Sequence, residues 1–454
     1  MPKERNTWKW HARAAALPKE IRKRCVVWDW VREPNTQLKK TARKTFQILF
    51  YLHLLLITIL IIVLTVLGLL FANTHHFHPI HWYPPLLTSS ACAAIAAFGW
   101  QAATRCNPSN TIKAAFWLSP SLTCATGVLL LSIGSAGSLV AAAMALIFAL
   151  IQSLYACWVV PRFDYAARIL KVSLSSPAAT GATNFVLVSV IVGTTYSCFC
   201  VSGIGGAIST ITHLDGLFIS VILLSLAWTM HVIRNISHVA ISRVGYMHFA
   251  NEMEVGTRVA FCDTIKHSME CVCLSSALVP ILGVIRGSAR AMSSIAGDTD
   301  EFMFSCADCY ARVADRLVAY GHKWGFVHVG VYDKGFVRAS VDTWEMFQRV
   351  RMESLIDSDL TGSFCFLSSV AVGAICTLIG GSWTFAVHKS YATEVSIYAF
   401  LIGYFIGRIA MALPQACVSA YHVAYAENPE NLRFDSTIPT RIQELQRSQA
   451  LSRN

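Results

Sequence analysis

Long apolar blocks separated by short polar segments limit what this 454-residue chain can fold into. The blocks run from Phe46 to Ala72, Leu86 to Ala103, Ala114 to Ile133, Ser138 to Val160, Phe185 to Ser202, Gly216 to Ile233, Cys271 to Ile285, Phe364 to Val387 and Val395 to Ala412. Each is about 15–27 residues long, and a helix crossing the hydrocarbon core of a bilayer takes roughly 20. Hydrophobic residues make up 54% of the chain and charged residues 14%, against a charged share of about 25% in soluble domains. The longest gap between blocks, Arg286 to Ser363, mixes several acids and bases. The blocks therefore predict an all-α, polytopic membrane protein and exclude a soluble enzyme core.

Loop charge predicts the direction of the weave. Thirteen Lys and Arg residues precede Phe46, which places that end in the cytoplasm by the positive-inside rule. The loops Asn73–Pro85, Gly134–Gly137 and Gly203–Asp215 carry neither Lys nor Arg. The loops between them carry Arg105 and Lys113, then Arg162, Arg168 and Lys171, then Arg234, Arg243, Arg258 and Lys266. Nine spans would leave the C-terminus outside, whereas Arg433, Arg441, Arg447 and Arg453 favour the inside. A tenth, polar pass from about Val318 to Val341 reconciles the two, since a polar span is tolerated where other helices shelter it. The expectation is about ten transmembrane helices with both termini cytoplasmic: a basic segment 1–45, a helix bundle 46–425 and a tail 426–454. The first 45 residues are too long and polar to be a cleavable signal. Trp8, Trp10, Trp28 and Trp30 among their bases suggest a segment on the inner membrane surface; a disordered positive tail or an Arg-rich transit signal are the alternatives.

The net charge of +11 comes without a basic stripe and interleaved aromatics, so no nucleic-acid partner is expected. Many of the fifteen cysteines lie in or beside apolar blocks, where they act as small hydrophobes. Cys306 and Cys309 form a lone C-x-x-C, whereas a zinc site needs a second pair or histidines. His75, His76, His78 and His81 could hold zinc or copper, but read first as a polar headgroup-level loop with Trp82 and Tyr83 as interface anchors. No cofactor is implied. Catalytic motifs such as H-E-x-x-H, G-x-S-x-G or a Lys-bearing phosphate loop are missing, so the chain reads as a carrier, a channel or a structural subunit.

Small residues suggest close helix packing: Gly403-x-x-x-Gly407, Ala141 to Ala143, Gly203 to Gly206, and Gly380-Gly381. The two latter runs are alternatively points where a helix breaks. Arg408 falls inside the last block, with Glu394, Asp215 and Glu427 as candidate partners. His53, His231 and His238 are further polar points, for which a hydrogen bond to a neighbouring helix is expected.

Trp228, Val232, Asn235, His238 and Val239 follow a Trp–Val–Asn–His-Val spacing, and Cys271 to Leu278 resembles a small-residue start of the next helix. Cys306 and Cys309 come next, then Val329 to Phe336, which looks like "IAIYGKNF", and Ala426 to Glu430, similar to an acidic "AEDPE" tail. In this order, over about residues 220–432, these resemble the choline-transporter-like family in its compact form with a short first outer loop. The resemblance implies a ten-helix carrier for choline, or for a related small organic cation such as ethanolamine, with no enzyme activity. It departs from the family pattern at His322 to Phe326 and at Asp333, where the family has glycine. A quaternary ammonium is held by aromatic faces with an acid nearby. The expected substrate-binding residues are Trp228, Asn235, Tyr332 and Tyr404, on or near the motif-bearing helices, with Arg408 as an intramembrane charge. The expected partners are the small cation and the lipid bilayer; the expected residence is the plasma membrane, with an organelle membrane as the alternative. The competing reading is a non-transporting subunit of a larger membrane complex, in contact with other membrane subunits.

Overall fold

The computed structural model describes residues 37–70, 78–209, 214–250, 253–281, 322–431 and 434–451. His75, His76, Cys306, Cys309, the N-terminal tryptophans and residues 318–321 lie outside them. The chain divides into two compact units, 1–45 and 46–454. In the first, the described part is the start of the first helix, where the Thr45 hydroxyl donates to the Thr41 carbonyl at 2.9 Å. The bundle belongs to the second.

The described residues are helical, without strands. The first seven helices are α1 (Gln37–Leu70), α2 (Pro79–Cys106), α3 (Pro108–Ile133), α4 (Ala136–Val159), α5 (Phe163–Leu174), α6 (Pro177–Ser209) and α7 (Asp215–Ala250). Short polar caps set several boundaries. Asn107 accepts from the Asn110 amide at 3.2 Å ahead of Pro108 at the first turn of α3. Gly134 ends α3 at φ +75°, which a residue with a Cβ adopts only under strain. Ser135 then caps α4 through the Ser138 amide at 3.1 Å. α8 (Thr257–Asp263) passes through a π turn, Thr264–Ser268, into α9 (269–281).

Eight helical stretches among the described residues are long and apolar enough to cross a membrane. α1 and α4 face outward: Ile48, Leu55, Leu56 and Leu69 on one, and Met144, Ile147, Leu150 and Leu154 on the other, are exposed as lipid-facing side chains are. α12 (Thr361–Val387) lies at the centre with most of its length buried. It packs against α13 (Ala392–Ala410) more extensively than any other pair of helices. A Cβ built on Gly403 would stand 2.9 Å from the Gly373 Cα, and one on Gly407 3.0 Å from the Ser369 Cα. The G-x-x-x-G spacing is thus a backbone-contact seam. Gly380 and Gly381 do not break α12, and Gly203 to Gly206 do not break α6. They pack instead against Ser89 and Ser396, and against Ile61, Tyr83 and Leu64.

The polar tenth pass takes a different form from the sequence expectation. The chain makes α10 (Gly325–Tyr332), turns at Asp333 with φ 50°, and returns as α11 (Phe336–Arg349). Eight residues of helix span about 12 Å, too short to cross a core of about 30 Å. The two pack on each other, with Gly325 against Ser340. Amphipathic patterning decided this: α11 puts Phe336, Ala339, Thr343 and Phe347 inward and charges outward, a face suited to packing and not to lipid.

α13 stops at Met411, and α14 (Ala412–Glu427) resumes the path, buried almost all round. Pro414 lacks an amide proton and its ring opposes the Ala410 carbonyl, which breaks the helix there. α15 (Thr437–Leu451) covers α5. Arg105, Arg168 and Arg243 meet Thr183, Glu444 and Asp263 at one end of the bundle. His78, His81 and His388 meet at the other.

The seam makes a quantitative prediction. Gly407→Leu drives four heavy atoms against the α12 backbone, and is expected to destabilise the protein by about 1–3 kcal/mol, as overpacking does. Gly99→Leu, where a Cβ meets nothing within 4 Å, is expected to be neutral. Thermal unfolding of both variants in one detergent checks this.

Candidate functional site

α7 continues well past its apolar block, to Ala250, and this overturns the placing of Arg234 in an inner loop. Arg234 lies within the helix and is 5% exposed, covered by α14 and α13. Its Nη1 donates to Asn235 Oδ1 at 3.1 Å, and its Nη2 donates to Gln415 Oε1 in a short hydrogen bond. Asn235 in turn donates through Nδ2 to the Ser276 hydroxyl on α9 at 2.9 Å. The chain Gln415–Arg234–Asn235–Ser276 ties α14, α7 and α9 together inside the bundle.

α7 and the α13–α14 pair run in the same direction. His231 lies against Phe405 with ring centroids 5.8 Å apart, Gly245 faces Ala420, and Tyr246 meets Glu427. Three residues past His231 and Phe405 come Arg234 and Arg408, so one helical turn brings both guanidinium groups to one level. Arg408 acts electrostatically on Arg234 and on His231. Among the described residues it pairs with none of Glu394, Asp215 or Glu427, and its Nε is buried without a partner. The histidine expectation also changes: both ring nitrogens of fully buried His238 lack partners, and its ring stacks near Phe326 at 5.0 Å.

Trp228 sits two turns before Asn235 on α7. It meets Phe50 at 5.3 Å and His53 at 4.9 Å between ring centroids, and its indole N–H has no partner among the described residues. Tyr404 lies one turn before Arg408, stacked parallel to Phe400 at 6.3 Å. Tyr332 stands apart. Its hydroxyl lies 2.9 Å from that of Tyr246 and donates to Glu427 Oε2 at 3.0 Å. Tyr246 is eleven residues past Asn235, about 16 Å along the helix. The structure thus groups Asn235, Tyr404 and Arg408 around Arg234, with Trp228 about 10 Å further along α7, and places Tyr332 in a second cluster at the end of the bundle.

Glu427 of that second cluster lines a cavity of about 450 Å³ with His328, Lys334, Asp342, Glu345 and Arg349. His328 Nε2 lies 3.1 Å from Glu427 Oε1, and Thr343 holds its Nδ1 at 3.0 Å. Lys334 pairs with Asp342 at 2.7 Å while its ammonium stands over the Tyr332 ring, 5.2 Å from the centroid. Between the clusters lies a buried ion pair, Lys323 to Asp359 at 2.8 Å, with Asp359 also accepting from the Thr361 amide. His78, His81 and His388 gather at the opposite end, 4.9 to 6.3 Å between ring centroids. No group of histidine, cysteine or acidic side chains among the described residues has metal-holding geometry.

Sequence reasoning missed Arg234, Gln415, Lys323 and Asp359. Arg234 follows its apolar block directly and resembles a topology-setting base. The polar stretch after it, with small Ser237, Ala240 and Ser242, marks a helix face packed by protein and not by lipid.

Residues 143–430, more than half of the chain, match the family model described as plasma-membrane choline transporter. This chain belongs to that family. It is 25% identical over 222 residues to Protein pns1 of Aspergillus fumigatus, covering 45% of this chain and 41% of that protein. It is 24% identical over 215 residues to Protein PNS1 of Debaryomyces hansenii, covering 44% of this chain and 42% of that protein. The match thus spans about two fifths of those relatives' length. Membership agrees with the resemblance read from the motifs, makes the chain an integral multi-pass membrane protein of a transporter family, and covers α7 and α10 to α14.

The buried ion pair gives a test of the site's architecture. Lys323→Met leaves Asp359 charged and unpaired in the interior, and is expected to cost about 3–5 kcal/mol. The double change with Asp359→Leu is expected to recover most of that loss. A thermal-unfolding double-mutant cycle reads the coupling.

Proposed function

We propose that this family member carries choline or a related small organic cation such as ethanolamine, with both termini in the cytoplasm and the plasma membrane as its site. The observation that supports it is the Tyr332–Tyr246–Glu427 cluster. A quaternary ammonium has no N–H to donate and is bound by aromatic faces beside a carboxylate. Here two phenol hydroxyls donate to Glu427, and the cavity that Glu427 lines sets Glu427, Asp342 and Glu345 against Lys334 and Arg349. The chain's own Lys334 ammonium rests over Tyr332 and on Asp342, which is the contact a cationic substrate would make. Trp228 with Phe50 and His53 offers a second aromatic station on α7. In this reading Trp228, Asn235, Tyr404 and Tyr332 are successive contacts along a path and not one pocket.

Labelled choline uptake into proteoliposomes holding only this chain tests the reading. Tyr332→Ala is expected to weaken uptake by about 5–30-fold, the loss of roughly 1–2 kcal/mol of cation–π attraction. Glu427→Gln is expected to lose more, and Lys334→Met, which removes a competing cation, is expected to strengthen choline binding. The second reading, a structural subunit, draws on Arg234 and Arg408, which have no acidic partner among the described residues and which a permeating cation would meet. Choline and ethanolamine uptake at background level, together with stable co-purification of other membrane subunits, would favour it.

A further inference from the structure

We infer that the bundle interior holds an anion-binding site formed by Arg234 and Arg408. It goes beyond the proposed cargo, because its chemistry is opposite in sign to choline's. The argument starts from cost. An arginine near the centre of a membrane helix costs about 2.5–3.5 kcal/mol on insertion scales, and more when isolated. Such residues normally pair with an acid or with backbone carbonyls. Here two of them occupy one level of two parallel helices, and neither forms an ion pair among the described residues.

Among the described residues, no carboxylate forms an ion pair with either arginine. Cys365 on α12 lies beside the same helices, its thiol donating to the Met411 carbonyl at 3.6 Å. Asp359 is committed to Lys323 at 2.8 Å and to the Thr361 amide. His231, on the same face of α7, adds no negative charge, and Gln415 and Asn235 meet Arg234 with neutral carbonyl oxygens. Two guanidinium groups of like charge therefore repel each other in a medium that screens poorly.

Geometry points to what resolves the conflict. Arg234 is 95% buried, since its exposure is 5%, and its Nε still lacks a partner. Arg408 is half-buried, its Nε likewise unpartnered, and it makes no hydrogen bond to any described residue. Its Nε–H thus has no acceptor among the described residues, and its backbone is fixed by the α12–α13 seam at Gly407, next in sequence. Planar guanidinium donors match chloride, a carboxylate or a phosphate oxygen. The shared chemistry is one negatively charged group, either a free anion accompanying the cation or the anionic end of a zwitterionic substrate.

The test uses the full-length protein in nanodiscs, with thermal unfolding read as gluconate is replaced by chloride, acetate or phosphocholine at constant ionic strength. A saturable stabilisation is expected from at least one probe, with Arg408→Gln weakening it about tenfold or more, a loss of about 1.4 kcal/mol. Chloride alone acting identifies a free anion; phosphocholine acting at far lower concentration than chloride identifies the anionic end of a substrate. Because Arg408 has no partner to lose among the described residues, Arg408→Gln is expected to be at least as stable as the parent chain in gluconate. Absence of saturable stabilisation by all three probes, an unchanged response in Arg408→Gln, or its unfolding in gluconate would each overturn the site. The readout does not depend on uptake, so a failed choline assay leaves it standing and its own failure leaves the choline reading standing.

Discussion

A charged side chain inside a membrane bundle has to be kept from lipid, and much of this architecture follows from doing that for Arg234. Its hydrogen bonds to Gln415 and Asn235 require α14 and α9 to close on α7. That closure in turn requires the outer face of α14 to be covered, which α5, α11 and α12 provide. Gly403 and Gly407 let α13 come within backbone contact of α12, which sets Arg408 beside α7. Removing a hydrogen bond at the centre of this network therefore acts on several helix contacts at once.

The bundle divides its labour by burial. α1 and α4 present Leu, Ile and Val to lipid and carry few polar contacts, whereas α7, α12 and α14 bury serines, threonines, histidines and arginine. Polar groups are tolerated only where protein and not hydrocarbon surrounds them. This confines any polar route to the neighbourhood of α7, between the aromatic station at Trp228 and the tyrosine–carboxylate cluster at Glu427. The Lys323–Asp359 pair, at the foot of α12, lies between the two and joins the α10 segment to it.

The broken α10–α11 segment fits the same division. A short helix that turns back at Asp333 brings His328 and Tyr332 to Glu427, and its backbone polar groups are sheltered by α7 and α14. Non-helical backbone at membrane depth is found where protein buries it or a cavity needs it. Here it borders the 450 Å³ cavity.

The sequence by itself determined that the chain is a helical membrane bundle, because runs of about 20 apolar residues have one low-energy state in a bilayer, the helix. It also marked the family through ordered motifs, and Gly403-x-x-x-Gly407 as a close-packed seam, because glycine spacing reports backbone approach directly. Arg408 was legible as an interior charge from its place in the last block, but only the tertiary structure decided that Arg234 is interior too. Arg234 and Arg243 look alike along the chain, yet Arg243 meets Asp263 at 3.1 Å at the bundle end while Arg234 is enclosed. The difference is made by Gln415 and Arg408, more than 170 residues away in sequence. Electrostatic neighbourhood is a property of helices brought together, and periodicity within one helix does not encode it.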